Sequence, residues 1–402
     1  MDILYSCDIE CCGCEACVSA CKSNAITMRE DAYGFKYPYI ILEKCIDCGT
    51  CLKKCDFKKL VSDGISMHYP IKAYAAYHND EQTLKSSTSG GVFSAFAEYV
   101  LNNGGCVYGC VMDDDFNVSI VKGETTEDII PMKGSKYLQG AVNSIYKDIK
   151  QQLCNKRLVL FTGTPCQVAG LKSYLGKTEY ATLITIDLIC HGVSSVKSFQ
   201  LYVSFLKEYK HINIKKYHFR SKWKGWGLKT SAIEQFVEIN GKTRKRTILS
   251  RDDFFKSNYL SWNTIRPSCS SCKYATSLRT GDFTMGDFWG WEKLELKIPT
   301  QNGLSALLCN FEKWECLLKT INMTLVEVPI EMVLEGNGAL KCPTKKGRFW
   351  NAFRQCVANN NYTEFYKGFE KFKKERKRKE KLEWLKLIVP SPFKKLIRYF
   401  VH

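Results

Sequence analysis

The chain has 402 residues, 45% of them hydrophobic and 13% aromatic, which is a globular composition with room for two or three domains. It carries a formal net charge of +18, and the stretch from Glu370 onward, with 12 Lys/Arg against four Asp/Glu, holds +8 of it. No apolar run is long enough to span a bilayer, the first residues lack the basic and apolar stretches of an export signal, and the 21 cysteines do not read as a disulfide framework, so a reducing, cytoplasmic setting is expected.

The N-terminal stretch, through Cys55, contains a repeat. Cys11-x2-Cys14-x2-Cys17-x3-Cys21 recurs as Cys45-x2-Cys48-x2-Cys51-x3-Cys55. Three thiolates at this spacing wrap one face of an iron–sulfur cube, and the fourth reaches a second cube. The run is the signature of two-cluster ferredoxins, which pairs Cys11, Cys14, Cys17 and Cys55 on one [4Fe–4S] cluster and Cys45, Cys48, Cys51 and Cys21 on the other. Structural zinc is the competing reading, but zinc closes with four ligands drawn from pairs rather than with two interleaved quartets. Strand-like halves flank a turn at Asp31 to Gly34 between the runs. The residue after each fourth cysteine, usually Pro, is here Lys22 or Asp56. Cys7 and Cys12 are spare thiols near the first cluster. An α+β ferredoxin-like module is expected over 1–66.

A linker around His68 to Lys72 leads to a body in which strands, loops and helices alternate. Ala73 to His78 reads as a strand, Lys85 to Gly91 as a polar loop and Val92 to Leu101 as a helix. Small hydroxyl and glycine residues at Thr88, Ser89, Gly90 and Gly91 suit a phosphate at a helix N-terminus, or simply an ordinary cap. Cys106 to Val111 is a strand. The Met132 to Tyr137 loop sets Lys133 and Lys136 around Gly134 and Ser135, which suits an anion. Further strands over Leu158 to Phe161 and Thr182 to Ile189 run into Thr162 to Gln167 and Cys190-His191-Gly192, each followed by a helix. Such alternation predicts an α/β body with a largely parallel sheet and ligands at the carboxyl ends of its strands. The domain division expected is 73–210, 211–366 and a basic tail over 367–402.

Downstream, two strands flank an Asn240-Gly241 hairpin signal, and Cys269-x2-Cys272 precedes Gly286-Asp287-Phe288-Trp289-Gly290. A lone pair of cysteines cannot complete a cube. Cys166 and Cys190, both on loops at strand ends, are the natural partners for Cys269 and Cys272 in a third [4Fe–4S] cluster. Structural zinc at Cys269 and Cys272 with other partners stays open. Cys309, Cys316, Cys342 and Cys356 show no ligand spacing.

Together these motifs resemble the family of coenzyme F420 hydrogenase/dehydrogenase beta subunits. The pieces that carry the resemblance are the tandem cysteine runs, Thr88–Gly91, Gly134–Tyr137, Gly163–Gln167, Cys190–Gly192, Cys269-x2-Cys272 and Gly286–Gly290, all in order. The resemblance implies an iron–sulfur flavoprotein that binds FAD. Thr88, Ser89, Gly90, Gly91, Lys133, Gly134, Ser135, Lys136, Tyr137, Gly163, Thr164 and Gln167 would then line the flavin site in 73–210, with the third cluster's remaining ligands in 211–366. It further implies electron transfer between a ferredoxin-type, deazaflavin or nicotinamide partner and an unidentified substrate. His191 is the candidate catalytic residue as a proton donor near the flavin, or, beside Cys190, an orienting residue. No hydrogenase metal-site motif occurs in the chain.

Two features invite other readings. The charge and Arg244-Lys245-Arg246 suggest nucleic-acid binding, but no nucleic-acid-binding signature accompanies them and no such partner is expected. In the tail, Lys371 to Lys381 is almost wholly basic. After it Leu382, Leu385, Ile388, Phe393, Leu396, Ile397 and Phe400 recur at helical spacing around Pro390 and Pro392. That pattern suits an anchor at an anionic membrane surface, or a charged helix packed on the body.

Overall fold

Each cysteine run closes on a short helical turn, Ala16–Ala20 in the first and Thr50–Lys53 in the second, and each turn is entered through a left-handed residue, Glu15 (φ 63°) or Gly49 (φ 66°). Between the runs, β1 (Ile26–Glu30) pairs antiparallel with β2 (Lys36–Ile40). Asp31 closes their turn by accepting from the amides of Tyr33 and Phe35. The computed structural model describes residues 4, 8–59, 63–293, 300–371, 374, 375 and 378. The expected membrane anchor in the tail, apart from a few of the tail's first residues, lies outside that range, as does Cys7.

The body is built on eight strands: β3 (Lys72–His78), β4 (Cys106–Met112), β5 (Val118–Gly123), β6 (Val159–Gly163), β7 (Leu183–Leu188), β11 (Phe283–Asp287), β12 (Ser305–Cys309) and β13 (Met323–Val328). Their order is β13-β3-β12-β11-β7-β6-β4-β5. The central pairings, β11 with β7, β7 with β6 and β6 with β4, are parallel, and the other four are antiparallel. The sheet is therefore mixed, parallel at its centre and antiparallel at both flanks. Helix-containing crossovers join β4 to β6 and β6 to β7, a hairpin adds β5 beside β4, and β3 enters between β12 and β13, which come from the far end of the body. The expected boundary at residue 210 does not divide this sheet, because β11, β12 and β13 complete what β3 to β7 begin.

Alternation along β4 and β6 sends successive side chains to opposite faces. Val107 and Leu160 join the helix Val92–Asn102 on one side, where Phe96 meets Phe283 edge-on at 4.8 Å. Cys106, Tyr108, Val159 and Phe161 face the other side with Tyr146, Ile149, Val168 and Leu171 from the helices Ile145–Cys154 and Pro165–Leu175. Each fully buried aromatic or aliphatic side chain there stabilises the fold by about 1.5–3 kcal/mol. A second sheet, β8 (Asn213–Ser221), β9 (Ala232–Ile239) and β10 (Lys242–Leu249), is antiparallel, and β9 and β10 meet at the expected Asn240-Gly241 turn. Its aromatic core gathers Phe199, Tyr202, Phe254 and Phe255. Arg244 to Arg246 lie on its edge strand, where Lys245 pairs with Glu234 at 3.3 Å.

The cysteine module is fastened to this body at many points. Gln139 donates to the carbonyl of Cys12, Glu15 accepts from the amides of Val142 and Asn143, and Lys54 and Ser173 exchange hydrogen bonds with each other's carbonyls. A Cβ added at Gly170, within the helix Pro165–Leu175, would sit 3.1 Å from the sulfur of Cys14. That close approach favours glycine.

Candidate metal and cofactor sites

Cys11, Cys14, Cys17 and Cys55 line one cavity together with Gly13, Met28 and Pro38, and Cys12 and Cys51 also reach its wall. Burial pushes Cys55 up to about 11 and Cys17 well above the usual thiol range, with neighbouring thiols adding to both. Cys21 packs with Cys51 against Ile26 and Ile40, while Cys45 and Cys48 are exposed. Backbone amides point at ligand sulfurs, from Gly13 to Cys11 at 3.4 Å and from Ala25 to Cys21 at 3.2 Å. Amide–sulfur bonds of this kind tune iron–sulfur sites.

The structure also gathers the four downstream cysteines. Cys166 stands in the first turn of its helix, capped by Thr164, whose hydroxyl lies 3.1 Å from the sulfur. Cys190 follows β7 and takes an amide hydrogen bond from Gly192. The segment after Cys272 is folded back onto β7 by Asp187, which accepts from Arg279 (2.8 Å), from the amide and hydroxyl of Thr280, and from the amide of Gly281. Asp187 and Arg279 are both buried, and the guanidinium with these donors holds the carboxyl below its usual range against the opposing effect of burial. Cys166, Cys190, Cys269 and Cys272 thus line a single cavity, and Cys12 joins its wall. The structure therefore moves Cys12 from spare thiol of the first cluster to the partition between two thiol sites, in contact with Cys14 and Cys166.

This donor set suits a multi-iron cluster. Burial pushes Cys190 and Cys272 up to about 12, whereas a hydrogen bond from Cys12 brings Cys166 down to about 7. Thiols kept protonated by burial become thiolates when a metal takes up their charge. Among the described residues no three His, Cys, Asp or Glu side chains converge closely enough for a single metal ion. Four thiols lining one cavity match the ligand count of a [4Fe–4S] cluster and of a zinc ion alike.

A second cavity, of about 290 Å³, adjoins the third thiol site and shares Thr164, Gln167, Cys190, His191 and Gly192 with it. Of the twelve residues expected to line a flavin site, eleven line this cavity: Thr88, Ser89, Gly91, Lys133, Gly134, Ser135, Lys136, Tyr137, Gly163, Thr164 and Gln167. Gly90 does not. It packs against the sheet, where an added Cβ would run into the carbonyl of Ala76 and come within 3.0 Å of the Ser305 hydroxyl. The two loops touch directly, Ser135 donating its amide to the hydroxyl of Thr88 at 3.1 Å. The ammonium of Lys136 is committed to the carbonyls of Pro131, Met132 and Lys133, and burial brings it down to about 8. Lys136 thus shapes its loop, and Lys133 and Arg220 are the other basic residues of the cavity wall.

Further side chains pack at the cavity. Arg220 pairs with Asp287 at 2.7 Å and lies over the ring of Trp289, which stacks on Trp226 with centroids 4.9 Å apart. Tyr137 meets Tyr259 at 4.5 Å, with Lys256 over its ring. Asp287 and Trp289 belong to the Gly286–Gly290 motif, but Arg220 comes from the second sheet, where no spacing marks it out. His191 stands in the wall between the two cavities, and burial lowers its pKa.

Three family models match the chain. The family model for the N-terminal part of coenzyme F420 hydrogenase/dehydrogenase beta subunits matches residues 73–147, and the model for their C-terminal part matches 156–330. A 4Fe-4S dicluster domain matches residues 10–59. The chain belongs to the family of coenzyme F420 hydrogenase/dehydrogenase beta subunits and carries a 4Fe-4S dicluster domain ahead of the family's body. It is 21% identical over 189 residues to the F subunit of F(420)H(2) dehydrogenase from Methanosarcina mazei, covering 45% of this chain and 53% of that one. It is 25% identical over 166 residues to the coenzyme F420-dependent sulfite reductase of Methanocaldococcus jannaschii, covering 40% of this chain and 24% of that one. The chain therefore spans about half the length of the first relative and about a quarter of the second. A chain of the F420-reducing [NiFe] hydrogenase complex from Methanosarcina barkeri superposes with a TM-score of 0.42 at 18% identity, over 73% of this chain and 89% of that one.

Proposed function

We propose that the protein is an iron–sulfur flavoprotein oxidoreductase that passes electrons between a redox partner and an organic or inorganic substrate. The observation that carries this reading is the shared wall of Thr164, Gln167, Cys190, His191 and Gly192 between the four-cysteine cavity and the cavity lined by the expected flavin residues. Cys11, Cys14, Cys17 and Cys55 would hold one [4Fe–4S] cluster, Cys21, Cys45, Cys48 and Cys51 a second, and Cys166, Cys190, Cys269 and Cys272 a third. Thr88, Ser89, Gly91 and the Lys133–Tyr137 loop would hold FAD. A bound flavin supplies the conversion between single electrons and hydride equivalents.

The protein's own contributions follow from the geometry. Cys45 and Cys48 are exposed, which supports a second cluster near the surface, where a donor such as a ferredoxin would meet it. The thiol sites then run inward through Cys12 to the cofactor cavity. His191, buried between the cavities, is placed to hold or move a proton beside the flavin. The relatives' printed names make reduced coenzyme F420 a candidate donor, with ferredoxin and reduced nicotinamides as alternatives.

Anaerobic stopped-flow mixing tests this reading. Reduced ferredoxin, F420H2 and NADH are each mixed with the oxidised protein. One of them is expected to bleach the iron–sulfur absorbance and the flavin band together. Clusters that are reduced while a bound flavin stays oxidised with every donor would overturn the reading.

A further inference from the structure

Arg266 has no place in the function just described, yet it lies at the meeting point of two thiol sites. It is 0% exposed, and among the described residues it forms no ion pair. Its guanidinium donates to the carbonyl of Cys11 (3.0 Å), to Gln139 (2.8 Å) and to the carbonyl of Lys36 (3.0 Å), and it lies 4.1 Å from the ring centroid of Tyr37. All of those hydrogen-bond acceptors are neutral. Glu15 and Asp31 are carboxyls within electrostatic reach, but neither ion-pairs with it: Glu15 accepts from the amides of Val142 and Asn143, and Asp31 from those of Tyr33 and Phe35. A buried cation without a counter-charge is strongly disfavoured unless anions surround it. The groups around it are thiols: Cys11 of the first site, and Cys166 and Cys269 of the third, with Cys12 between them.

The packing fixes it there. Arg266 precedes Pro267 at the start of the turn that carries Cys269, and the amide of Cys269 bonds back to its carbonyl at 3.0 Å. On the other side, a Cβ at Gly13 would run into Gln139 and lie 3.0 Å from Arg266. Glycine inside the first cysteine run therefore makes room for the guanidinium.

On the functional reading above, we infer that Arg266 is an electrostatic positioning residue shared by two clusters, the Cys11/Cys14/Cys17/Cys55 cluster and the third, and that it raises the reduction potential of both. A [4Fe–4S] cluster with four thiolates is anionic and gains a further negative charge on reduction, so a nearby buried cation favours the reduced form. The second N-terminal site has Cys45 and Cys48 exposed, so solvent screens it from a buried charge more than it screens the two inner sites. The arrangement makes the inner pair of clusters the energetically favoured seat for an electron, and it gives transfer a direction from the surface toward the cofactor cavity.

The test is an EPR-monitored redox titration of the anaerobically prepared full chain, native, R266Q and R266K. In R266Q two of the three cluster potentials are expected to fall while the third stays at its native value, and R266K is expected to keep both near native. R266Q with full iron and three unmoved potentials overturns the inference, as does an equal shift of all three. Should R266Q fail to hold iron, R266K decides: native potentials support the role of charge, and a fall in both overturns it. A native protein without a third cluster signal overturns the functional reading itself. Three native signals that ignore Arg266 overturn this inference alone.

Discussion

The carboxylate of Asp56 accepts a 2.7 Å hydrogen bond from the hydroxyl of Tyr274, joining the residue after the last cysteine of the repeat to the second residue after Cys272. Lys273 adds an ion pair at 3.0 Å, and Asp56 is only 2% exposed. Two cysteine motifs from distant parts of the chain are thereby held together by side chains next to their last ligands. Asp stands where the two-cluster pattern usually has Pro, and the structure supplies the reason: proline offers no acceptor for Tyr274 and Lys273. Asp56→Ala should destabilise the protein by about 3–5 kcal/mol, as expected for breaking a buried pair. Tyr274→Phe should cost only about 1 kcal/mol. Anaerobic denaturant unfolding measures both, and equal effects would contradict the account.

The five thiols of the third cavity are not equivalent. Cys166, Cys190, Cys269 and Cys272 are read as ligands, and Cys12 as the wall between two sites. Serine at any of the four ligand positions should remove about four irons per chain. Cys12→Ser should retain full iron, since it leaves both quartets complete. Iron analysis after anaerobic purification distinguishes the two classes, and a Cys12 variant that lost four irons would exchange its role with one of the four.

At the cofactor cavity, Ser135 meets Thr88 where the two loops that would receive phosphate come together. Ser135→Glu places a carboxylate there and should expel an anionic cofactor by like-charge repulsion. The expected result is protein with its full iron and little flavin. Flavin released on denaturation, measured against iron in the same sample, reports this. Undiminished flavin in the variant would place the phosphates elsewhere.

Much of this arrangement is legible in the residue order because it is local. The cysteine repeat, the hairpin at Asp31, the Asn240-Gly241 turn and the strand ends carrying Cys166 and Cys190 are each set within a few residues, and the structure shows each of them. The sheet is less legible. β3 lies between β12 and β13, strands from the far end of the body, and nothing within β3 encodes antiparallel partners so distant. Arg266 is silent for a similar reason: a single arginine before a proline acquires meaning only when Cys11, Gly13 and Cys269 converge on it. Lys136 lines the cavity as expected, but its bonds to the carbonyls of its own loop could not be read from a lysine in a glycine-serine stretch.

His191 can be separated from its neighbours by chemistry. Burial lowers its pKa, with the charge of Asp287 opposing that shift and that of Lys256 adding to it. His191→Gln should keep flavin and iron at native levels while turnover with the physiological donor falls about 100-fold, within the range for loss of general acid–base catalysis. Full turnover in that variant would reduce His191 to a packing residue.

Three iron–sulfur clusters and a flavin side by side in one chain are the core of this account. Quantifying iron, zinc and flavin in the full-length protein purified without oxygen tests it most directly. The expected result is about twelve irons, no stoichiometric zinc and about one flavin per chain. About eight irons with one zinc, or twelve irons with no flavin, would contradict it.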